Sequence, residues 1–327
     1  MSATFVISLD FELMWGVRDH RGQGDYGAEI LGARQAVPGM LKLFRQYGIQ
    51  ATWATVGLLF ARNRKQMLDY LPESLPAYTN TSLSPYTAVR SEIGENETSD
   101  PYHYGRSLVD MIAGTEGQEL ATHTYSHYYC LEPGQTLAAF RADLQAARAI
   151  AADMDISMSS IVFPRNQMTP EHTGAAADLG FHLYRGNPGH FAYRSRSRAE
   201  QTPFVRAFRL ADGILPLSRV QSSSWPDPAH DEKAADLPAS RFLRPLSNRF
   251  PAYSALHLRR VMSEMTAAAR VGQIYHLWWH PHNFGRSPEA SLNRLEKLLQ
   301  HFLVLQDRHG MQSRSMHSTN CADLVIT

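Results

Sequence analysis

Four polar clusters each close an apolar, β-rich run, and their recurrence constrains this chain more than any other feature. The run Thr4-Phe-Val-Ile-Ser-Leu ends at Asp10-Phe-Glu12, and Glu119-Leu-Ala-Thr enters His123-Thr-Tyr-Ser-His127. Ser159-Ser-Ile-Val leads to Phe163-Pro-Arg165-Asn166, and Gln273-Ile-Tyr-His-Leu-Trp-Trp ends at His280-Pro-His282-Asn. Helical periodicity separates the runs: Val37, Met40, Leu41 and Phe44 mark a helix over 33–47, and further helices are expected over 106–113, 136–154, 170–179, 254–270 and 288–305. Strands alternating with helices predict a parallel sheet or barrel rather than an α+β fold. In such barrels the loops after the strands converge on one face, so all four clusters are expected to meet there.

Composition narrows the function classes. With 43% apolar and 19% charged residues the chain has an ordinary globular balance. Its 32 basic and 31 acidic residues create no overall field that favours nucleic acid or an anionic membrane. Cys130 and Cys321 give neither a disulfide framework nor a zinc-finger spacing. No cationic leader precedes Asp10, and no apolar run reaches the roughly 18 residues of a membrane span. The expectation is a soluble cytoplasmic protein, one domain over 1–327, with insertions at about 72–105 and 185–253. The basic run Arg194-Ser-Arg-Ser-Arg198 in the second insertion reads as a solvated loop in preference to an anion contact.

The residue types point to hydrolysis. Two imidazoles spaced i, i+4 would lie on one helical face and hold one divalent ion. A carboxylate completing that set leaves a coordination position open for a water that can attack an amide or ester carbonyl. Such chemistry also needs a carboxylate base, a proton donor for the leaving amine and a positive charge nearby, types that Asp10, His280 and Arg165 supply. A lone His-x-x-x-His pair is common, and its coincidence with three other strand-end clusters gives it weight. The bland alternatives are strand-end caps for Asp10 and Glu12, a structural ion pair for Arg165, a packed His276, and a small buried hydrophobe in Cys130.

In this order the clusters resemble the polysaccharide deacetylase superfamily, carbohydrate esterase family four, over about residues 3 to 325. The resemblance implies a distorted (β/α)7-8 barrel. Asp10 takes the place of the family's base and Glu12 that of a metal ligand, with one residue inserted between the two acids. His123 and His127 match the histidine ligands, and Arg165 matches the arginine that holds the base. His280 matches the catalytic acid, within a segment His280-Pro-His-Asn-Phe-Gly-Arg286 that resembles the allantoinase-like and peptidoglycan deacetylase branch. The family's acidic residue that orients this histidine has no clear counterpart here, and Asp227 in Trp225-Pro-Asp is the one candidate for it. Trp15, Tyr125, Tyr128, Asn166, Trp279 and His282 flank the motifs and are expected to contact substrate.

The implied activity is metal-dependent removal of an N-acetyl or N-formyl group from an amino sugar, with zinc as the first-choice metal. A carbohydrate precursor of cell-surface polysaccharide is the expected substrate. The alternatives are an allantoinase-like cyclic amide hydrolase and a non-catalytic carbohydrate-binding protein.

Overall fold

A computed structural model describes residues 2–225, 234–247 and 249–319. Among the described residues nine parallel strands form one curled sheet: β1 (Thr4–Phe11), β2 (Ala51–Thr55), β3 (Gln118–Thr122), β4 (Ser160–Ile161), β5 (Leu183–Tyr184), β6 (Ala235–Asp236), β7 (Arg241–Phe242), β8 (Ile274–Trp279) and β9 (Gln312–Arg314). Their order is β6-β5-β4-β3-β2-β1-β8-β7, and β9 pairs with the start of β1. Helices α1 (Gln23–Gln46), α2 (Arg64–Asp69), α3 (Arg106–Ala113), α4 (Leu137–Ala152), α5 (Pro170–Asp178), α6 (Pro203–Asp212), α7 (Pro251–Arg270) and α8 (Pro288–His309) surround it, giving the expected distorted barrel.

The barrel joins its ends through a single extended segment. Ala235, Leu237 and Ala239 donate backbone hydrogen bonds to His182, Tyr184 and Gly186 beside β5, at 2.8, 2.9 and 2.9 Å. One residue later the same segment changes sides: Ser240 and Leu243 donate to His276 and Trp278 of β8, at 2.7 and 2.8 Å. Thus β6 and β7 are two halves of one stretch, each bonded to a different neighbour.

Strand alternation sorts the core into two layers. Phe5, Ile7, Leu9 and Phe11 of β1 point outward into the large cluster with Trp53, Phe44 and Trp279. Val6 points inward and packs with Ala54, Val162, Leu183, Leu237, Ile274 and Met316 into a small apolar plug. Above the plug the same inward face carries Ser8 and then Asp10, so the barrel interior turns polar towards the C-terminal strand ends.

Helix α1 begins ten residues before the start expected at 33, because Gly22 N–H donates to Asp25 Oδ1 at 2.7 Å and caps a glycine-rich first half. Those glycines serve packing. A Cβ on Gly32 would lie 1.9 Å from the Gly285 carbonyl oxygen, and one on Gly285 would lie 1.8 Å from that of Glu29. Only paired glycines allow α1 to approach the short turn Pro281–Phe284 this closely, and that turn carries His282.

Candidate active site

The first carboxylates sit where β1 runs out. Asp10 is the penultimate residue of β1 and Glu12 follows its end; both are buried. The Glu12 carboxylate faces His127 Nε2 at 3.0 Å and His123 Nε2 at 3.3 Å. These three side chains offer donor atoms all within 4.8 Å of one another. Gly16 lies directly beneath, where a Cβ would stand 1.9 Å from Glu12 Cδ.

The His123–His127 segment is a turn and not the expected helix. Thr124 and His127 have φ of 63° and 60°, in the left-handed region, which folds the second imidazole back towards the first. Thr124 Oγ1 accepts the Tyr128 N–H at 2.7 Å, and the buried Asp143 of α4 accepts the Tyr125 N–H at 2.6 Å. Ser126 Oγ donates to the same carboxylate. His123 Nδ1–H donates to the Val162 carbonyl at 2.7 Å, which turns its Nε2 lone pair towards Glu12.

Electrostatics make this corner receptive to a cation. Burial opposes ionisation of Glu12, but His280 and His127 facing it hold its pKa well below the usual carboxylate range. Burial also pushes His127 below the ordinary imidazole value, outweighing the pull of Glu12, so the ring is neutral near pH 7. His123 Nε2 is buried without a hydrogen-bond partner. An ionised carboxylate with oriented imidazole nitrogens is a donor set that fits a divalent metal.

The base candidate has a different cation from the one expected. Arg165 donates to Asp19 at 2.6 Å and stacks over the Tyr129 ring at 4.5 Å, so it does not hold Asp10. Arg185, which follows β5 and is fully buried, donates from Nη1 and Nη2 to Asp10 Oδ1 and Oδ2 at 2.6 and 2.9 Å. The same guanidinium donates to Ser8 Oγ and Asn166 Oδ1, both at 3.0 Å. Burial would raise the Asp10 pKa, yet Arg185 brings it below the ordinary value. Behind the pair, His276 donates from Nδ1 to the Leu237 carbonyl at 3.1 Å and accepts from Ser8 at 2.8 Å through Nε2. Burial and then the charge of Arg185 lower His276 to about 3, so it is the packed, hydrogen-bonded histidine that its position suggests.

His280 stands opposite, its Nε2 3.8 Å from Asp10 and 3.6 Å from Glu12, with the side chain 23% exposed. Its Nδ1 meets Asn283 Nδ2 at 3.3 Å. Its ring stacks on His282 with centroids 4.9 Å apart and touches Phe242 and Trp278 at 5.7 and 5.6 Å. Asp227 lies outside the described residues.

Several expected substrate contacts are core residues instead. Tyr125 and Tyr128 are fully buried and donate to the Met67 and Thr136 carbonyls at 2.6 and 2.9 Å. Trp15 is spent on the His103 carbonyl at 2.8 Å, and Trp279 packs against Phe284 and Phe44. His282 is also buried, beneath His280 and beside Tyr26, but it stands at the site, its Nε2 4.0 Å from Glu12 Oε1, and burial lowers it to about 3. Asn166, with φ of 53°, does reach the site through Arg185. Trp278 and Tyr129 are the aromatics that face the centre: Arg185 sits 4.2 Å over the Trp278 ring, and Tyr129 lies 5.0 Å from His127. Strand alternation identifies Trp278, since it shares the inward face of Ile274 and His276. A search of strand ends identifies Arg185, the residue after 181–184.

No family model and no curated sequence matches the chain. Among solved structures, one described as a polysaccharide deacetylase from Mycobacterium smegmatis superposes with TM-score 0.60 and 14% identity, over 97% of this chain and 89% of the other. Another, described as a polysaccharide deacetylase from Pseudomonas aeruginosa PAO1, gives TM-score 0.53 and 12% identity over 97% and 88%. The Puue allantoinase gives TM-score 0.53 and 11% identity over the same shares. With the sheet and its surrounding helices in place over nearly the whole chain, this protein has the polysaccharide-deacetylase fold.

Proposed function

We propose that this protein is a metal-dependent amide hydrolase that removes an N-acetyl or N-formyl group from an amino sugar in a precursor of cell-surface polysaccharide. The observation that carries the reading is the convergence of two sites at the end of β1: Glu12 facing two imidazoles, and Asp10 held by Arg185, with His280 Nε2 3.6 and 3.8 Å from Glu12 and Asp10. Glu12, His123 and His127 would hold a divalent ion, zinc first, whose Lewis acidity would polarise the substrate carbonyl and a water.

Asp10 is the base. Arg185 keeps it ionised and fixes both of its oxygens, so its remaining lone pairs can take a proton from an attacking water. Water adds to the carbonyl carbon, the C–N bond breaks, and His280 gives its proton to the departing amine. His280 suits this task because it is the partly exposed member of the stacked pair and stands within reach of both carboxylates. The products are the free amino sugar and a carboxylic acid.

Metal content of the purified protein tests this reading beside a His123→Ala, His127→Ala double variant. About one equivalent in the parent and none in the variant, with amine released from N-acetyl or N-formyl sugars by the parent alone, is the expected result. No metal in either protein after addition of zinc or cobalt overturns it in favour of a metal-free amidase.

A further inference from the structure

Beyond His280 the cleft opens into a cavity of about 270 Å³ that the proposed hydrolysis does not use. Phe242 and Trp278 belong to its wall and also touch His280, so the two spaces share an aromatic partition. The rest of the lining is dominated by arginine: Arg165, Arg194, Arg196, Arg209, Arg241 and Arg244.

These arginines differ in how they are balanced. Arg165 is paired with Asp19, and Arg241 with Glu264 and Asp212. Arg196 donates instead to the carbonyls of Ala192, Arg194 and Phe191. Arg209 donates to the Ala192 carbonyl and Gln201, and Arg244 to the Arg209 carbonyl. Among the described residues no carboxylate lines the cavity. Burial, and the like charges of Arg196 and Arg244, hold Arg209 below the ordinary guanidinium value. The sequence reading of 194–198 as a solvated loop therefore fails for Arg196, whose side chain is folded into this wall.

We propose that this cavity binds a phosphoryl group carried by the substrate, beside the acyl group that is cleaved. The inference rests on the deacylase reading only for its placement of the acyl group. Glu200, outside the lining, is the carboxylate that feels Arg196; within the cavity guanidinium groups converge with no carboxylate between them and repel one another, and a bound anion removes that repulsion while accepting their free N–H groups. A phosphoryl group brings three acceptor oxygens and up to two charges, where a carboxylate brings two oxygens and one charge. The small volume suits a phosphoryl group with part of its attached sugar and excludes a folded-in polymer. The substrate class is therefore a sugar phosphate or a sugar joined through a phosphate or diphosphate to a carrier.

The test is calorimetric titration of the metal-loaded protein with inorganic phosphate, in the parent and in Arg196→Gln, Arg209→Gln and His127→Ala. Saturable binding is expected in the parent. Each arginine variant should weaken it by about tenfold or more, while His127→Ala keeps it. Circular dichroism checks that the variants remain folded, and Arg196→Gln serves if Arg209→Gln does not. Absence of saturable binding overturns the proposal, as does loss of binding in His127→Ala alone, which would put the phosphate on the metal. Tighter binding of glucuronate than of phosphate overturns the phosphoryl assignment. Phosphate bound in this manner without amine release from any N-acyl sugar leaves the cavity assigned and the deacylase reading refuted. Amine release without phosphate binding does the reverse.

Discussion

Two incomplete charges of opposite sign flank one complete pair. On the β1 and β3 side, the ionised Glu12 carboxylate faces His123 and His127, and burial holds His127 neutral, so the corner offers donor atoms to a cation. On the β5 and β7 side, Arg196, Arg209 and Arg244 converge without a carboxylate among the described lining residues, so that wall is short of an anion. Between them Asp10 and Arg185 satisfy each other in a buried, bidentate pair. Charge left without a partner in a buried corner or a half-buried wall is costly, so a fold that keeps it has a use for it. The difference teaches which parts of the cleft await a ligand and which only hold geometry.

The largest effects should come from the metal corner and the base beside it. Asp10→Asn should lower kcat by about 10²- to 10⁴-fold, the usual range for loss of a general base, while metal content stays at the parent level. Gly16→Ala should do the opposite. Its new Cβ would stand 1.9 Å from Glu12 Cδ, so the carboxylate must swing away and metal content should fall with the circular dichroism spectrum unchanged. Equal metal content in Gly16→Ala and parent would show that Glu12 is not a ligand.

The complete pair should next reveal itself through stability. Arg185→Met leaves Asp10 buried without its cation and should cost about 3–5 kcal/mol in urea unfolding, as one-sided removal of a buried ion pair does. Arg165→Gln removes one of two arginines on the buried Asp19 side chain and leaves Arg198 at 2.9 Å, so it should cost less, about 1–2 kcal/mol. Similar losses for the two would show that Arg185 is not the charge that holds Asp10.

These residues also show where the sequence was legible. The long strands β1 and β8 carry clear apolar runs, so Asp10, Glu12 and His280 could be placed at strand ends. Strands β6 and β7 are two residues each, too short for any period to register, and the barrel is joined there by backbone hydrogen bonds that leave no trace in side-chain pattern. Arg185 directly follows the apolar run 181–184 and could have been found there, but Arg165 sat in one of the four motif clusters and took the assignment. The spacing of His123 and His127 could not distinguish a helical face from a turn with two left-handed residues. Trp278 and Trp279 are adjacent, and one step of strand alternation decides which is core.

Acid should act on the buried histidines away from the metal corner. Burial lowers His257 and His276 to about 3 each, against about 6.5 in an unfolded chain. Between those values the unfolded chain binds protons that the folded one refuses, so stability present above pH 6.5 is lost as pH falls. At pH 5 each contributes a loss on the order of 2 kcal/mol. Asp143 works in the opposite sense: burial raises it from 3.8 to about 6, so its contribution grows as pH falls through 6 and offsets part of that loss. Urea midpoints should therefore drop from pH 7 to pH 5, and drop less in His257→Asn. An undiminished drop in that variant would assign the acid sensitivity elsewhere.

The smallest effect sharpens the distinction between ligand and scaffold at one residue beside the metal turn. Tyr125 lies between His123 and His127 in sequence, yet its ring is fully buried and its hydroxyl donates to the Met67 carbonyl at 2.6 Å. Tyr125→Phe removes that donor and leaves the carbonyl without its partner, which should cost about 1–3 kcal/mol of stability. A residue that touched substrate would instead change KM or kcat. Turnover per metal-loaded molecule, measured well below the unfolding transition, should match the parent within about twofold, since Asp143 and not the phenol fixes the turn. A raised KM at unchanged stability would return Tyr125 to the substrate pocket and require the 123–127 turn to open during catalysis.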